Sequence, residues 1–135
     1  MQSSKDLLSE IYLKIKEKGD INDEFVNYLE SIYPDKSSEI LLALKRGITE
    51  YIFKPSNRII WTAIGENDEY LIYPKIYCSC IDFYKRVVIK KEKVVCKHLI
   101  AQTIADALNY FKEKELDDKD FKTFIKELEL NKKNF

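Results

Sequence analysis

The chain has 135 residues, 45% of them hydrophobic and 34% charged, with 23 basic residues against 23 acidic ones and a net charge of zero. That length supports a real core, about two-thirds of the unfolded surface being buried on folding, and the composition is that of an ordinary globular protein. Balanced charge and an isoelectric point near 6.6 exclude attraction to nucleic acid or membrane by overall charge, although a local charge could still act.

The N-terminal stretch MQSSKDLLSE is polar and already helical in pattern, so no secretory signal is expected. The longest apolar runs, such as ILLAL at 40–44, fall far short of a membrane span. Leu7, Leu8, Ile11, Tyr12 and Ile15 recur at three- and four-residue steps and predict a first helix, with Ser3 or Ser4 as its cap and Gly19 as its stop. A second helix starts at Asn22 or Asp23 and buries Phe25, Val26, Leu29 and Ile32 before Pro34. A third starts at Ser37 or Ser38, carries Ile40, Leu41 and Leu44, and ends near Gly47.

The pattern then turns to short β-branched and aromatic runs. Ile48–Lys54 and Arg58–Ile64 flank a Pro55-Ser56-Asn57 turn, and Gly65-Glu66-Asn67-Asp68 leads into Glu69–Tyr73. Pro74 interrupts the run, and Ile76 and Tyr77 resume an extended pattern directly before Cys78. Val87-Val88-Ile89 and Val94-Val95, separated by a lysine-rich tip, read as a further small hairpin. From Lys97 an amphipathic helix presents Ile100, Ile104, Ala107, Leu108 and Phe111 on one face. A break at Asp117-Asp118 precedes a terminal helix with Phe121, Phe124, Ile125 and Leu128. The expected architecture is α+β in one domain, 1–135. It comprises a helical part (1–47), a part with a small antiparallel sheet and a metal-stapled β-hairpin and helix (48–112), and a terminal helix (117–130).

All three cysteines and the single histidine fall within 77–99, as Cys78-Ser79-Cys80 and, fifteen residues on, Cys96-Lys97-His98. Structural zinc takes four soft or borderline ligands in a tetrahedron, often as two close pairs brought together by the fold. In an extended chain residues i and i+2 point to the same side, so Cys78 and Cys80 can offer both sulfurs to one ion. Cys96 and His98 fall at the start of the following helix, whose dipole favours thiolates. The bland alternative is three buried cysteines beside an incidental histidine, but the clustering into two matched pairs favours one structural zinc per chain. A Cys78–Cys80 disulfide would be a strained short ring and would leave Cys96 alone.

Four ligands close the coordination sphere, where hydrolytic zinc keeps an open position for water. Asp82 and Glu92 are near in sequence, yet nothing places either as a base. A His-x-Glu deaminase pattern and a Gly-rich phosphate loop are both absent, so catalysis and a small-molecule substrate are not expected.

Lys85, Arg86, Lys90, Lys91, Lys93 and Lys97 against Glu92 give this segment a net charge of +5. With Tyr77, Phe83 and Tyr84 alongside, it is the candidate nucleic-acid surface, since single strands are held by basic residues interleaved with stacking rings. A solvated hairpin end whose lysines discourage edge pairing explains the same residues. For protein docking, Trp61 with Tyr51, Phe53, Tyr70 and Tyr73 is either an interface patch or core.

The pattern Cys78-Ser79-Cys80, fifteen residues, Cys96-Lys97-His98 resembles the SWIM zinc finger, Cys-x-Cys-x(n)-Cys-x-His. The wider chain is similar to the small stand-alone SWIM-domain subunit of the Shu complex. The likeness takes in LLSE at 7–10, Ile21-Asn22-Asp23-Glu24, Ser56-Asn57-Arg58, Tyr77 to Cys80, Phe83, and Cys96-Lys97-His98-Leu99-Ile100-Ala101, and so covers roughly 7–108. It departs at Ile81, where relatives often carry proline, in its lysine-rich segment between the ligand pairs, and in its last 25 or so residues. The resemblance implies a non-enzymatic role in homologous recombination and DNA repair. The chain would act with a RecA-like recombinase paralogue to assist filament assembly on single-stranded DNA, contacted directly or through that partner. It also implies an intracellular setting, nuclear in a eukaryote and cytoplasmic or nucleoid in a prokaryote. A regulator or transposase-derived module that binds nucleic acid directly is the alternative.

Overall fold

The computed structural model describes residues 3–132. Three helices lead the chain: α1 (Ser4–Lys18), α2 (Asp23–Ile32) and α3 (Ser37–Arg46). Ser3 caps α1 by accepting from the Asp6 amide, and Asn22 caps α2 by accepting from the Phe25 amide. Gly19 ends α1 in the left-handed conformation, φ 77°, where a Cβ would be strained, and its N–H closes on the Ile15 carbonyl. Helix α3 starts at Ser37, one of the two expected positions. Lys36 occupies the cap position, and Ser37 and its amide are held by the Glu30 carboxylate of α2, which also accepts from the Asp35 amide. A carboxylate of the preceding helix thus does the capping.

Strands β1 (Ile48–Lys54), β2 (Arg58–Ile64), β3 (Glu69–Tyr73) and β4 (Tyr77–Cys78) form an antiparallel meander. A π-helical segment, Phe83–Ile89, stands where the sequence suggested a hairpin between the two ligand pairs; the hairpin at the metal cluster is β3–β4, which carries Cys78. Helix α4 spans Lys97–Leu108 and stops at Asn109, which adopts the left-handed conformation and leaves Phe111 outside the helix. A fifth strand, β5 (Lys112–Asp117), then pairs parallel to β1, so the sheet is mixed, in the order β4-β3-β2-β1-β5. After a 3-10 turn at Asp118–Asp120, α5 runs from Phe121 to Lys132, later than the expected 117–130.

Alternation along the strands divides the apolar residues between two faces. Ile48, Trp61, Ala63 and Ile72 join Leu8, Ile11, Ile15, Phe25, Leu29, Ile40, Leu99, Ile100 and Ile104 in the main core, under α1 to α4. Tyr51, Phe53, Ile60 and Leu71 form a second, smaller core on the opposite face, closed by Leu128, Phe121, Phe124 and Ile125 of α5. Trp61 is 7% exposed and packs edge-on against Phe111, with ring centroids 4.8 Å apart. Phe53 meets Phe121 and Phe124 at 5.0 and 5.4 Å. Most of the aromatics that could have formed a docking patch are therefore core; of that group Tyr73 is exposed and Tyr70 half-buried. No described helix is long and apolar enough to cross a membrane.

Candidate metal centre

The first ligand pair is set by the end of the sheet. Cys78 pairs with Ile72 across β3–β4 and faces the main core. Ser79 points the other way and continues the ladder: its N–H donates to the Leu71 carbonyl at 3.0 Å, and its hydroxyl accepts from the Leu71 amide at 2.9 Å. This locks the backbone so that Cys80 returns to the same side as Cys78. The second pair is set by α4, where Cys96 is the extended residue that opens the helix and His98 lies in its first turn. Val95, Leu99 and Ile100 beside them are fully buried, which seats the helix start on the core.

Cys78, Cys80, Cys96 and His98 come together and are buried, and their ligand atoms all lie within 4.8 Å of one another. Tetrahedral zinc with Zn–S of about 2.3 Å and Zn–N of about 2.0–2.1 Å requires edges of about 3.8 Å between sulfurs and about 3.6 Å between sulfur and nitrogen. Cys78 Sγ and His98 Nδ1 lie 3.7 Å apart. The donor set and spacing fit zinc. They form a possible site with four protein ligands.

Without an ion, the three thiols perturb one another strongly. Burial pushes the Cys78 and Cys96 thiols well above their ordinary range. Hydrogen bonds from those two neighbours stabilise the Cys80 thiolate and hold that group far below it. A divalent cation bound here would replace the thiol protons and supply the charge that the dry pocket lacks. The Phe83 amide donates to Cys80 Sγ at 3.3 Å, and the Tyr70 ring packs against the His98 imidazole at 4.9 Å, so both ligands are braced from outside the sphere.

The structure divides the six basic residues of the candidate nucleic-acid surface. Lys85, Lys90 and Lys91 are exposed, as is Tyr84. Arg86 and Lys93 hold Asp82 at 3.4 and 3.3 Å, and Lys97 lies 3.8 Å from Glu39, which also binds Lys36 at 3.0 Å. These charges line a cleft of about 190 Å³ with Tyr33, whose hydroxyl donates to the Val95 carbonyl next to Cys96. Phe83 is buried and Tyr77 half-buried against it, with centroids 5.4 Å apart. Tyr70, which packs on His98, Tyr33, which bonds beside Cys96, and Glu39, which pairs with Lys97, carry no spacing signal toward the cysteines, so their roles are not legible in the sequence.

Comparison with known proteins agrees with the geometry. The chain is 34% identical over 87 residues, 63% of its length, to the zinc finger SWIM domain-containing protein 7 homolog of Dictyostelium discoideum, whose length the match covers to 56%. The chain is thus similar to proteins named for the SWIM-type zinc finger. Zinc finger SWIM domain-containing protein 7 of Homo sapiens is 27% identical over 116 residues, 84% of this chain and 83% of that protein. Its counterpart in Mus musculus is 27% identical over 124 residues, 90% and 82%. The chain thus spans little more than half of the Dictyostelium relative but over four-fifths of the two mammalian ones. No family model matches the chain, and no solved structure matches it significantly. Together with the likeness to proteins named as zinc fingers, the four-residue cluster suggests zinc as its ion.

Proposed function

We propose that this SWIM-type chain is a non-catalytic adaptor of homologous recombination. It holds one structural zinc and docks a RecA-like recombinase paralogue, which it helps to assemble as a filament on single-stranded DNA. The observation that carries the reading is the buried Cys78–Cys80–Cys96–His98 cluster, in a chain most of whose length aligns with proteins named for the SWIM domain. When bound, zinc supplies a rigid cross-link between the end of the sheet and the start of α4. Four protein ligands leave no position for a reacting water, and the nearby carboxylate of Asp82 is engaged by Arg86 and Lys93. Such a site supports binding rather than catalysis. Free thiols at a zinc site fit a reducing, intracellular compartment.

One observation favours direct nucleic-acid contact as a second reading. The π-helical segment carries Tyr84, 51% exposed, beside Lys85, with Lys90 and Lys91 following, and a ring among unpaired cations suits a single strand. Native capture of the zinc-loaded protein from its own host separates the two. Near-stoichiometric recovery of a recombinase paralogue supports the adaptor. Recovery of nucleic acid without any recombinase sinks it and favours the second reading.

A further inference from the structure

The two edges of the sheet are built differently. β4 is two residues long, continues only through Ser79, and turns helical from Ile81, which leaves little backbone to pair. β5 is six residues long, bonds to β1 on one side, and is exposed at every position except the half-buried Leu116. Its charges are sorted by face. Lys112 and Lys114 lie in register with Thr49 and Tyr51, on the α5 side, whereas Glu113 and Glu115 lie in register with Glu50 and Ile52, on the side of the main core.

The acidic side is uncompensated. Glu50, Asp106, Glu113 and Glu115 have no cation within salt-bridge distance among the described residues. Burial, together with Glu113 and Asp106, raises the pKa of the Glu50 carboxyl. On the other side Lys114 already lies 5.8 Å from the Tyr51 ring centroid. Charge on an edge strand normally discourages pairing, yet charge of one sign would serve that purpose, and sorting by face does more. In an antiparallel pairing of two copies about a two-fold normal to the sheet, even positions meet even ones. Lysine then opposes lysine and glutamate opposes glutamate, which is repulsive. A second copy is disfavoured, and a strand of complementary charge is not.

We propose that β5 is a docking edge for an extended segment of a partner protein, joined by strand addition. That segment carries arginine or lysine at the alternate positions lying over Glu113 and Glu115, and acidic or small polar residues over Lys112 and Lys114. The adaptor reading supplies only the biological setting; the surface stands on the edge and its charges.

The test is a titration of the ¹⁵N-labelled, zinc-loaded full chain with a nine-residue peptide alternating threonine and arginine. The comparison peptides are a threonine–glutamate alternation and a blocked peptide of the first composition. The expected result is amide shifts centred on 112–117, preference for the alternating arginine peptide over both comparisons, and at least tenfold weaker binding by the Glu113→Lys/Glu115→Lys variant. Both substitutions are at exposed positions, and unchanged zinc content and unchanged remote amide signals would confirm that the variant is folded. Shifts scattered over other acidic surfaces, unaltered binding by the variant, or self-association of the chain through 112–117 would overturn the proposal. No recombinase enters the titration, so its failure leaves the adaptor reading untouched, and failure of that reading leaves the titration untouched.

Discussion

Gly65 is the most informative substitution outside the ligands. A Cβ built there would lie 2.3 Å from Tyr70 Cε2 and 3.0 Å from Tyr70 Cζ, and the same ring packs on the His98 imidazole at 4.9 Å. Gly65→Ala therefore forces the ring off its seat. Tyr70 is half-buried and can swing outward, so the cost lies near the lower end of the ~1–3 kcal/mol typical of overpacking. It includes much of the ~0.5–1.5 kcal/mol of an aromatic pair. A loss of about 1 kcal/mol lowers Tm by roughly 3–5 °C in a chain of this size. If the loss falls on the loaded state, zinc affinity weakens by about fivefold. The assay is thermal melting together with chelator competition, run as a double-mutant cycle with Tyr70→Leu, which removes the ring that the new methyl group meets. Gly65→Ala should cost little in the Tyr70→Leu background. An equal cost in both backgrounds would refute the coupling through Tyr70 and place the effect in the turn itself.

Cys80→Ser removes one ligand and should abolish tight zinc binding and unfold the sheet–α4 half. Site formation of this kind contributes on the order of 10–16 kcal/mol of apparent free energy, against about 5–15 kcal/mol for a whole domain; metal analysis and circular dichroism read the outcome. Trp61→Ala should cost about 3–5 kcal/mol, as expected for a buried aromatic, with Tm falling while any partner binding measured on the folded fraction stays the same. If single-strand binding is detected, Lys85→Ala, Lys90→Ala and Lys91→Ala should each reduce the log–log salt slope by about 0.7. Lys93→Ala should instead lower stability by releasing Asp82, with the slope little changed.

The sequence was most legible where one local signal sufficed. The bounds of β1, β2 and β3 follow β-branched runs between turn residues, and Ser3, Asn22 and Gly19 mark helix ends through their own side-chain or backbone chemistry. Cys78, Cys80, Cys96 and His98 declared themselves by residue type and spacing, and the structure brings them together. Harder to read were elements made by distant partners. Lys112–Asp117 has alternating charge and little apolar content, and becomes a strand because β1 offers it an edge. Asn109 ends α4 in a left-handed turn that glycine usually announces, so the helical periodicity runs on to Phe111, which instead packs on Trp61. Val87-Val88-Ile89 has strand-like composition, but the chain winds there into a π-helical segment anchored by Phe83, and Val88 and Ile89 are left exposed. The Lys97–Glu39 pair likewise depends on the packing of α3 against the start of α4, and the pairs of Arg86 and Lys93 with Asp82 depend on how the chain winds between the ligand pairs, so none could be read from a lysine count.

X-ray absorption at the zinc edge of the natively purified protein, with metal content measured on the same sample, tests the central claim most directly. The account predicts one zinc per chain with three sulfur neighbours near 2.3 Å and one nitrogen near 2.0–2.1 Å, with no oxygen ligand. A sphere with two or fewer sulfurs and a light-atom water position, or protein that is fully folded without any metal, would contradict the closed structural site.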